Sequence, residues 1–427
     1  MRHALYTAFL SLASPVLLAR LMRRATASHV PRARWREWWG AGAPLQSGSI
    51  WLHAASVGEV EAALPLARAL LERHPGRPLL LTTTTPEGAM RVESVLGSSV
   101  HHRFLPLDLP GPVRRFLRRS RPAVAVIVET ELWPNLYRGC GRAGIPLILA
   151  SGRLSPRSLA RYHRLQPLAS ETLARLRVLL AQDAAAAAGF RELGAPTGRV
   201  RIGGNLKFDR ALPPGHEGAW AFRRRLAGSA PVWAAVSTRA GEDDAVLAIH
   251  RRLRAKYPDV VLLWVPRHRE RFEAAFEAAR AAGFRVGRRS DPAVGQVDVL
   301  IGDSIGETGL YLGAADVAFV GGSLVPLGGQ NVLEPAALGV PVVTGPSTQH
   351  FEFAVSRLEA AGALRKAADV DSVARELSRL LEAPDARRAM GEAGRAVVES
   401  GRGAVTQVMI EIERCLDPAV QDEPRAV

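Results

Sequence analysis

From residue 49 onward, short uninterrupted apolar runs alternate with longer segments whose apolar positions recur at helical spacing. The runs at 50–55, 79–83, 123–128, 146–150 and 178–181 have the length and composition of strands buried on both faces. Between them, 58–74, 86–96, a segment starting at Pro134, 156–176 and 184–193 read as helices, and Pro134 suits a first helical turn. This alternation predicts a mostly parallel sheet with helices on both sides. Leu212-Pro213-Pro214-Gly215 interrupts it, and the same grammar then restarts. Strands are expected at 232–236, 260–265, 297–301, 317–320 and 340–344. Helices are expected at 241–257, 270–282 and 332–338, with helical segments from about 370 to 416. The pattern divides the chain into an amino-terminal segment 1–24, a domain 25–212, a linker 213–219, a second domain 220–416 and a polar tail 417–427. Two α/β domains of similar size put the expected site in the cleft between them, at the carboxyl ends of the strands.

Residues 4–19 carry no charge, and Arg20, Arg23, Arg24, Arg32, Arg34 and Arg36 follow closely, against Arg2 alone in front. Sixteen uncharged residues, followed by Arg20 and then Leu21 and Met22, sit at the short limit for a membrane helix. The basic flank lies on the wrong side for a secretory signal, and the positive-inside rule leaves the body of the protein in the cytoplasm. Trp35, Trp38 and Trp39 beside these arginines suit an interface.

Composition adds a constraint. Apolar residues make up 47% and charged residues 23% of 427, an ordinary globular balance that excludes wholesale disorder. Two cysteines, Cys140 and Cys415, cannot build a disulfide framework or a zinc ribbon. Residues 1–212 hold 30 Lys and Arg against 13 Asp and Glu, net +17, whereas 213–427 hold 26 against 28. The first half is therefore expected to meet something anionic, with Arg114, Arg115, Arg118, Arg119 and Arg121 as one candidate surface.

The polar residues at strand ends carry the candidate chemistry. His53-Ala54-Ala55-Ser56-Val57-Gly58-Glu59 closes the first strand and opens the first helix, where backbone N–H groups favour an anion. Glu59 falls in the first turn of that helix, where a carboxylate is often only compensation of the helix dipole. Glu129-Thr130-Glu131 follows the most apolar strand of the first half. Alternation would turn both carboxylates to one side, and a helix cap is the competing reading for one of them. Gly203-Gly204-Asn205-Leu206-Lys207 holds the only lysine of that half, which could neutralise a phosphate or simply be solvated. In the second half four turns follow one another: Pro266-Arg267-His268, 302–307, Gly321-Gly322-Ser323 and the stretch 328–335. Together they suit a nucleotide, with backbone amides for phosphate and a carboxylate for ribose hydroxyls. The P-loop and HExxH signatures are missing, and the GxGxxG string Gly139-Cys140-Gly141-Arg142-Ala143-Gly144 falls in the segment read as a helix from Pro134 rather than directly after a strand, so it does not support a Rossmann dinucleotide fingerprint.

The motifs HAASVGE, ETELWPN, GGNLKFD, VPRH, GDSIGE and FVGGSLVPLGGQNVLEPAALGVPVVTGP, in this order over residues 4–410, resemble the 3-deoxy-D-manno-octulosonic acid (Kdo) transferases of lipopolysaccharide synthesis. The resemblance implies a GT-B fold of two Rossmann-like domains with parallel sheets facing a central cleft, acceptor on the first and CMP-Kdo on the second. It implies transfer of Kdo, with inversion and without metal or cofactor, to a lipid A precursor at the cytoplasmic face of the inner membrane. By motif, Glu59 would be the general base, and Glu129 and Lys207 would stabilise the transition state. CMP would be held by Pro266, Arg267, Gly306, Glu307, Thr308, Asn331, Val332, Leu333 and Glu334. Ser56, Gly58, Gly321, Gly322 and Ser323 would form supporting loops. Gln330 and Thr308 depart from the family, which usually has His and Leu there. The charge distribution fits the implied acceptor, a doubly phosphorylated lipid in an anionic bilayer.

Two other readings compete. One keeps the fold but takes another sugar nucleotide, as a UDP-sugar transferase or epimerase would. The other is a basic nucleic-acid binder, which leaves the strand-end carboxylates unexplained and finds few aromatics to stack on, 6% of residues. No nucleic-acid partner is expected.

Overall fold

A computed structural model describes residues 2–210, 212–291 and 295–417, so nearly all of the expected tail lies outside the described residues. The chain divides into two compact units, residues 1–210 with 401–427, and residues 211–400. In the first unit seven strands, β1 (Ser49–His53), β2 (Leu79–Thr83), β3 (His101–Phe104), β4 (Pro122–Val128), β5 (Leu147–Gly152), β6 (Val178–Ala181) and β7 (Val200–Ile202), pair in the order β3-β2-β1-β4-β5-β6-β7, all parallel. Its helices are α1 (Arg2–Ala27), α2 (Val57–Arg73), α3 (Pro86–Leu96), α4 (Pro110–Ser120), α5 (Pro134–Arg142), α6 (Pro156–His163), α7 (Gln166–Leu173) and α8 (Ala184–Glu192).

The second unit repeats the plan. Strands β8 (Val232–Thr238), β9 (Val261–Pro266), β10 (Val286–Arg288), β11 (Val299–Ile301), β12 (Val317–Val320), β13 (Val342–Thr344) and β14 (Leu364–Lys366) form a parallel sheet of order β10-β11-β9-β8-β12-β13-β14. Helices α9 (Ala219–Ala227), α10 (Asp243–Lys256), α11 (Phe272–Ala281), α12 (Thr308–Ala314), α13 (Leu333–Ala337), α14 (Glu352–Ala360), α15 (Val370–Glu382) and α16 (Pro384–Gly401) surround it, and α17 (Ala404–Leu416) ends the described chain.

Parallel sheets need both faces covered, which is why the central strands are nearly all apolar. Along β1, Ile50 and Leu52 face the core under α2, while Trp51 faces the core under α4, α5 and α8. The α2 stripe Val60, Ala63, Leu64, Ala67 and Leu70 has the helical repeat read from the sequence.

Two expectations need correction. The last helix does not stay with the second domain. Ala404, Val408 and Ile412 of α17 bury themselves beside α2 in the first unit's core, and Asp209 accepts the N–H groups of Gly403 (2.7 Å) and Val405 (3.0 Å) at the start of α17. Burying a Val or Ile side chain is worth about 1.5–3 kcal/mol, and no local sequence feature says against which core. The segment 213–219 follows the boundary between the units and is packed, since a Cβ on Gly309 of α12 would lie 2.2 Å from the Pro213 carbonyl. The helix expected over 156–176 is two, α6 and α7, since Pro167 cannot continue a helix begun before it.

Candidate active site

In an open parallel sheet, ligands bind at the strand carboxyl ends where the connections diverge to opposite sides. In the first unit that point lies between β1 and β4. Glu59 follows β1, and Glu129 and Glu131 follow β4. Arg153 follows β5, and Lys207 follows β7, so five charged side chains share one edge.

Ser56 is the N-cap of α2 but its hydroxyl does not cap the helix. It donates instead to Glu59 Oε1 (3.1 Å), while Glu59 Oε2 accepts the Ala55 N–H (2.6 Å). The carboxylate is thus folded back over its own turn and half-buried. Burial, followed by repulsion from Glu129 and Glu131, pushes its carboxyl up to about 7, against the opposing pull of the Ala55 N–H and His53. Dipole compensation alone would not bury it. Gly58 leaves this turn exposed. Glu61 points elsewhere, into ion pairs with Arg91 and, at 2.8 Å, Arg210.

Strand alternation does not govern Glu129, because β4 ends at Val128 and Glu129 takes a left-handed backbone (φ 61°). Such a conformation is costly for a non-glycine residue and collects at functional sites. It aims the carboxylate at Lys207 Nζ (2.8 Å), with Arg153 Nε at 3.9 Å. Lys207 is therefore an ion-paired, largely covered side chain rather than a solvated one. Its loop is fixed by Asn205, whose side chain accepts the Lys207 N–H (3.0 Å), and by Ser151, whose hydroxyl accepts the Leu206 N–H (2.9 Å). Ser151 is left-handed too (φ 53°) and sits where β5 slips register against β6. Neither carboxylate after β4 caps α5. Glu131 accepts the Trp133 indole N–H (2.8 Å) and lies 3.8 Å from Nε2 of His53. His53 is fully buried, with Nδ1 against Thr82 and Nε2 lacking a hydrogen-bond partner. The sequence alone gives His53 no role of its own and does not single out Ser151 or Arg153. A polar residue closing an apolar strand, as in β1 and β5, was the available signal.

The second unit's divergence point lies between β8 and β12. Here one assignment changes. The amides of Gly322 (2.7 Å), Ser323 (3.0 Å) and Leu324 (3.0 Å), with that of Arg239 (2.8 Å), all donate to the buried carboxylate of Glu242. The Ser323 hydroxyl donates to the Val320 carbonyl (2.6 Å) and accepts the Gly345 N–H (2.9 Å). This loop is held from within, and those amides do not point at a phosphate. Gly321 is required, since a Cβ would lie 2.6 Å from Thr238 Cα.

Above this loop stand the exposed Arg267 at the end of β9, after the buried Pro266, and Arg239, whose guanidinium meets His268 Nε2 (2.8 Å). Gln330 reaches the same loop, its Nε2 lying 3.2 Å from the position a Cβ on Gly322 would take. Gly306 (φ 87°) and Glu307 precede α12, which begins at Thr308, and Glu307 accepts from Arg289 (3.0 Å). Asn331 donates to Glu334 (3.0 Å) and accepts the Leu333 N–H (3.1 Å). Val332 and Leu333 are buried, so their side chains pack rather than offer polar contacts. Among the described residues no group of three or more His, Cys, Asp or Glu could hold a metal ion.

Comparison with known proteins assigns this arrangement to a family. Residues 33–210 match the family model for the amino-terminal part of 3-deoxy-D-manno-octulosonic-acid transferases. The chain is 38% identical to the 3-deoxy-D-manno-octulosonic acid transferase of Haemophilus influenzae, over 95% of this chain and 96% of that one. It is 40% identical to that of Bordetella pertussis, over 87% and 88%. A UDP-N-acetylglucosamine 2-epimerase-like structure from Listeria monocytogenes, 13% identical, superposes on 90% of this chain and all of its own with a TM-score of 0.58, which speaks for the two-Rossmann-unit GT-B fold alone. With such identity over nearly its whole length, the chain belongs to the 3-deoxy-D-manno-octulosonic acid transferase family.

Proposed function

We propose that this protein transfers Kdo from CMP-Kdo to a hydroxyl of a lipid A precursor, with inversion, at the cytoplasmic face of the inner membrane. The observation that carries the chemical reading is the Glu59 carboxyl held near neutrality at the edge between β1 and β4. A base poised near the working pH accepts a proton most effectively in the transition state. In the reaction Glu59 takes the proton of the acceptor hydroxyl as its oxygen attacks the anomeric carbon of Kdo. The bond from that carbon to the phosphate oxygen breaks, and CMP leaves with the electron pair. Lys207, positioned by Glu129, supplies positive charge where negative charge develops. Arg267 and the turns 306–308 and 331–334 are the donor contacts in this reading, with Arg239 added beside them.

The membrane-facing element is α1. Leu5, Phe9, Leu12 and Val16 form an exposed apolar stripe on it. Its other side is tied to the first unit by Tyr6 to Asp108 (2.9 Å) and Thr7 to Asn135 (3.0 Å). A helix hydrogen-bonded along one side to a soluble core lies on a bilayer surface rather than crossing it.

The test is incubation with CMP-Kdo and a tetraacylated lipid A precursor, with the product mass read for added Kdo. Glu59→Gln keeps the shape but not the basicity and is expected to lower turnover by about 10²–10⁴-fold. Glu61→Gln should stay within a few-fold of wild type. Transfer by Glu59→Gln at the wild-type rate would remove Glu59 as the base, and absence of any Kdo-bearing product from wild type would remove the substrate pair.

A further inference from the structure

Between α1, α4 and α5 of the first unit runs a groove of about 740 Å³, within the range of pockets that enclose a ligand. Its walls are Ala4 and Ala8 on α1, Val113 and Leu117 on α4, Gly139 on α5 and Ala143 just after it. Ala4 and Ala8 leave room on the α1 side, while Gly139 lets α5 close on α4, since a Cβ there would lie 2.6 Å from Val113 Cγ1. Val113 and Leu117 give it an apolar floor. Its polar upper end is already satisfied, with the His3 ring against the Pro134 carbonyl (3.2 Å) and Thr7 on Asn135 (3.0 Å).

The rim is different in kind. Arg114 and Arg118 on α4, with Arg138 and Arg142 on α5, border the groove with no carboxylate among its lining residues. Arg115 and Arg119, on the other side of α4, are engaged by the carbonyls of Trp39 and Gly42. The rim arginines Arg114, Arg118 and Arg142 are exposed. An apolar slot bordered by guanidinium groups is complementary to a hydrocarbon chain that ends in a phosphate.

We propose that this groove holds one anionic phospholipid of the bilayer, its acyl chain between the three helices and its phosphate against Arg118 and Arg142. The proposal rests on the reading of α1 as a membrane-surface helix. The occupant is not the acceptor in its reacting position. α5 starts at the sheet edge that carries Glu59, and Arg142 lies eight residues further on, about 12 Å along the helix. A headgroup held at that end is a full helix length from the base. The bound lipid would replace missing packing under α1 and hold that helix against the first unit, while the stripe on its far side faces the bilayer.

The experiment uses the full chain, delipidated in mild detergent and mixed with dioleoyl-phosphatidylglycerol or dioleoyl-phosphatidylcholine, with retained lipid counted by native mass spectrometry. Wild type should retain one phosphatidylglycerol per chain under conditions that strip phosphatidylcholine. Ala8→Trp and Ala143→Trp, which fill the groove from different sides, should each abolish retention. Arg118→Glu with Arg142→Glu should weaken it at least about tenfold, since each basic residue at such a surface is worth about 1 kcal/mol. Persistence of the adduct in either filled variant with wild-type thermal stability overturns the proposal, as does equal retention of phosphatidylcholine or preferential retention of a lipid A precursor. Flotation of wild type with phosphatidylglycerol vesicles separates the two readings. Flotation without retained lipid leaves the membrane reading standing and removes the groove, and failure to float removes the membrane reading itself.

Discussion

At the scale of single residues, the protonation of one carboxylate, Glu59, depends on its burial and on two neighbours. Glu59 is held high by burial first and by Glu129 and Glu131 second. The unprotonated form is the base, so kcat/KM should rise with pH through a midpoint near 7 rather than near the ordinary carboxylate range. Glu129→Gln removes a negative neighbour and also releases the charge of Lys207 from its partner, and both changes favour ionised Glu59. The acid limb is therefore expected to move to lower pH, even as the maximal rate falls. An unmoved limb in a pH–rate series would remove the coupling. The same shift has a sign for stability. With the folded carboxyl raised above its unfolded value, the folded state binds the extra proton between about pH 4.5 and 7, so stability falls as pH rises through that window. Glu59→Gln escapes this loss. It should melt above wild type at pH 8, with the advantage shrinking toward pH 5, as read by calorimetry at the two values.

At the scale of elements, the strand-end turns differ in what holds them. Glu242 gathers four amides, three of them from the turn after β12. Glu242→Ala would strand those donors in a buried place, and each unsatisfied group costs about 1–3 kcal/mol. A loss of at least about 3 kcal/mol in urea unfolding is expected, with weaker CMP binding by titration calorimetry although Glu242 itself is fully buried. Retained stability would show that water replaces the carboxylate. Glu242 also marks where sequence reading ends. The β–α alternation was legible because strands covered on both faces must be apolar, and Glu59, Glu129 and Lys207 were legible as polar residues after such strands. The amides of Gly322 and Ser323 do not form the phosphate cradle their sequence suggests, because their acceptor, Glu242, lies some 80 residues earlier at the start of α10, a pairing no local pattern encodes. The charge-rich α4 escaped notice because its apolar positions are few, and the polar strand β3 because it sits at the sheet edge. The left-handed turns at Glu129 and Ser151 were invisible because glycine, the usual sign of that backbone, is absent there.

At the scale of the whole molecule, the return of α17 changes the charge picture. The first unit, with its carboxyl-terminal segment, holds 33 basic and 18 acidic residues, and the second holds 23 of each. The entire formal charge of +15 therefore belongs to the unit that carries α1. Two forces would then bind it to a membrane, and salt separates them. Attraction between exposed arginines and anionic lipid is screened within about 8 Å at physiological ionic strength and about 3 Å at 1 M. Burial of Leu5, Phe9, Leu12 and Val16 is not screened. Wild type should stay with phosphatidylglycerol vesicles in 1 M salt, held by the α1 stripe. Phe9→Ser with Leu12→Ser should bind them in 0.05 M salt and come off in 1 M. These two side chains point away from the first unit, so the double variant should melt near the wild-type temperature. Removing residues 1–24 altogether is a poorer test, because it also takes Tyr6 from the buried Asp108 and strips Leu18, Leu21 and Met22 from the cluster around Trp38 and Phe104. If wild type leaves the vesicles in 1 M salt as readily as the double variant, the arginine surface alone binds the membrane and the apolar stripe has another use.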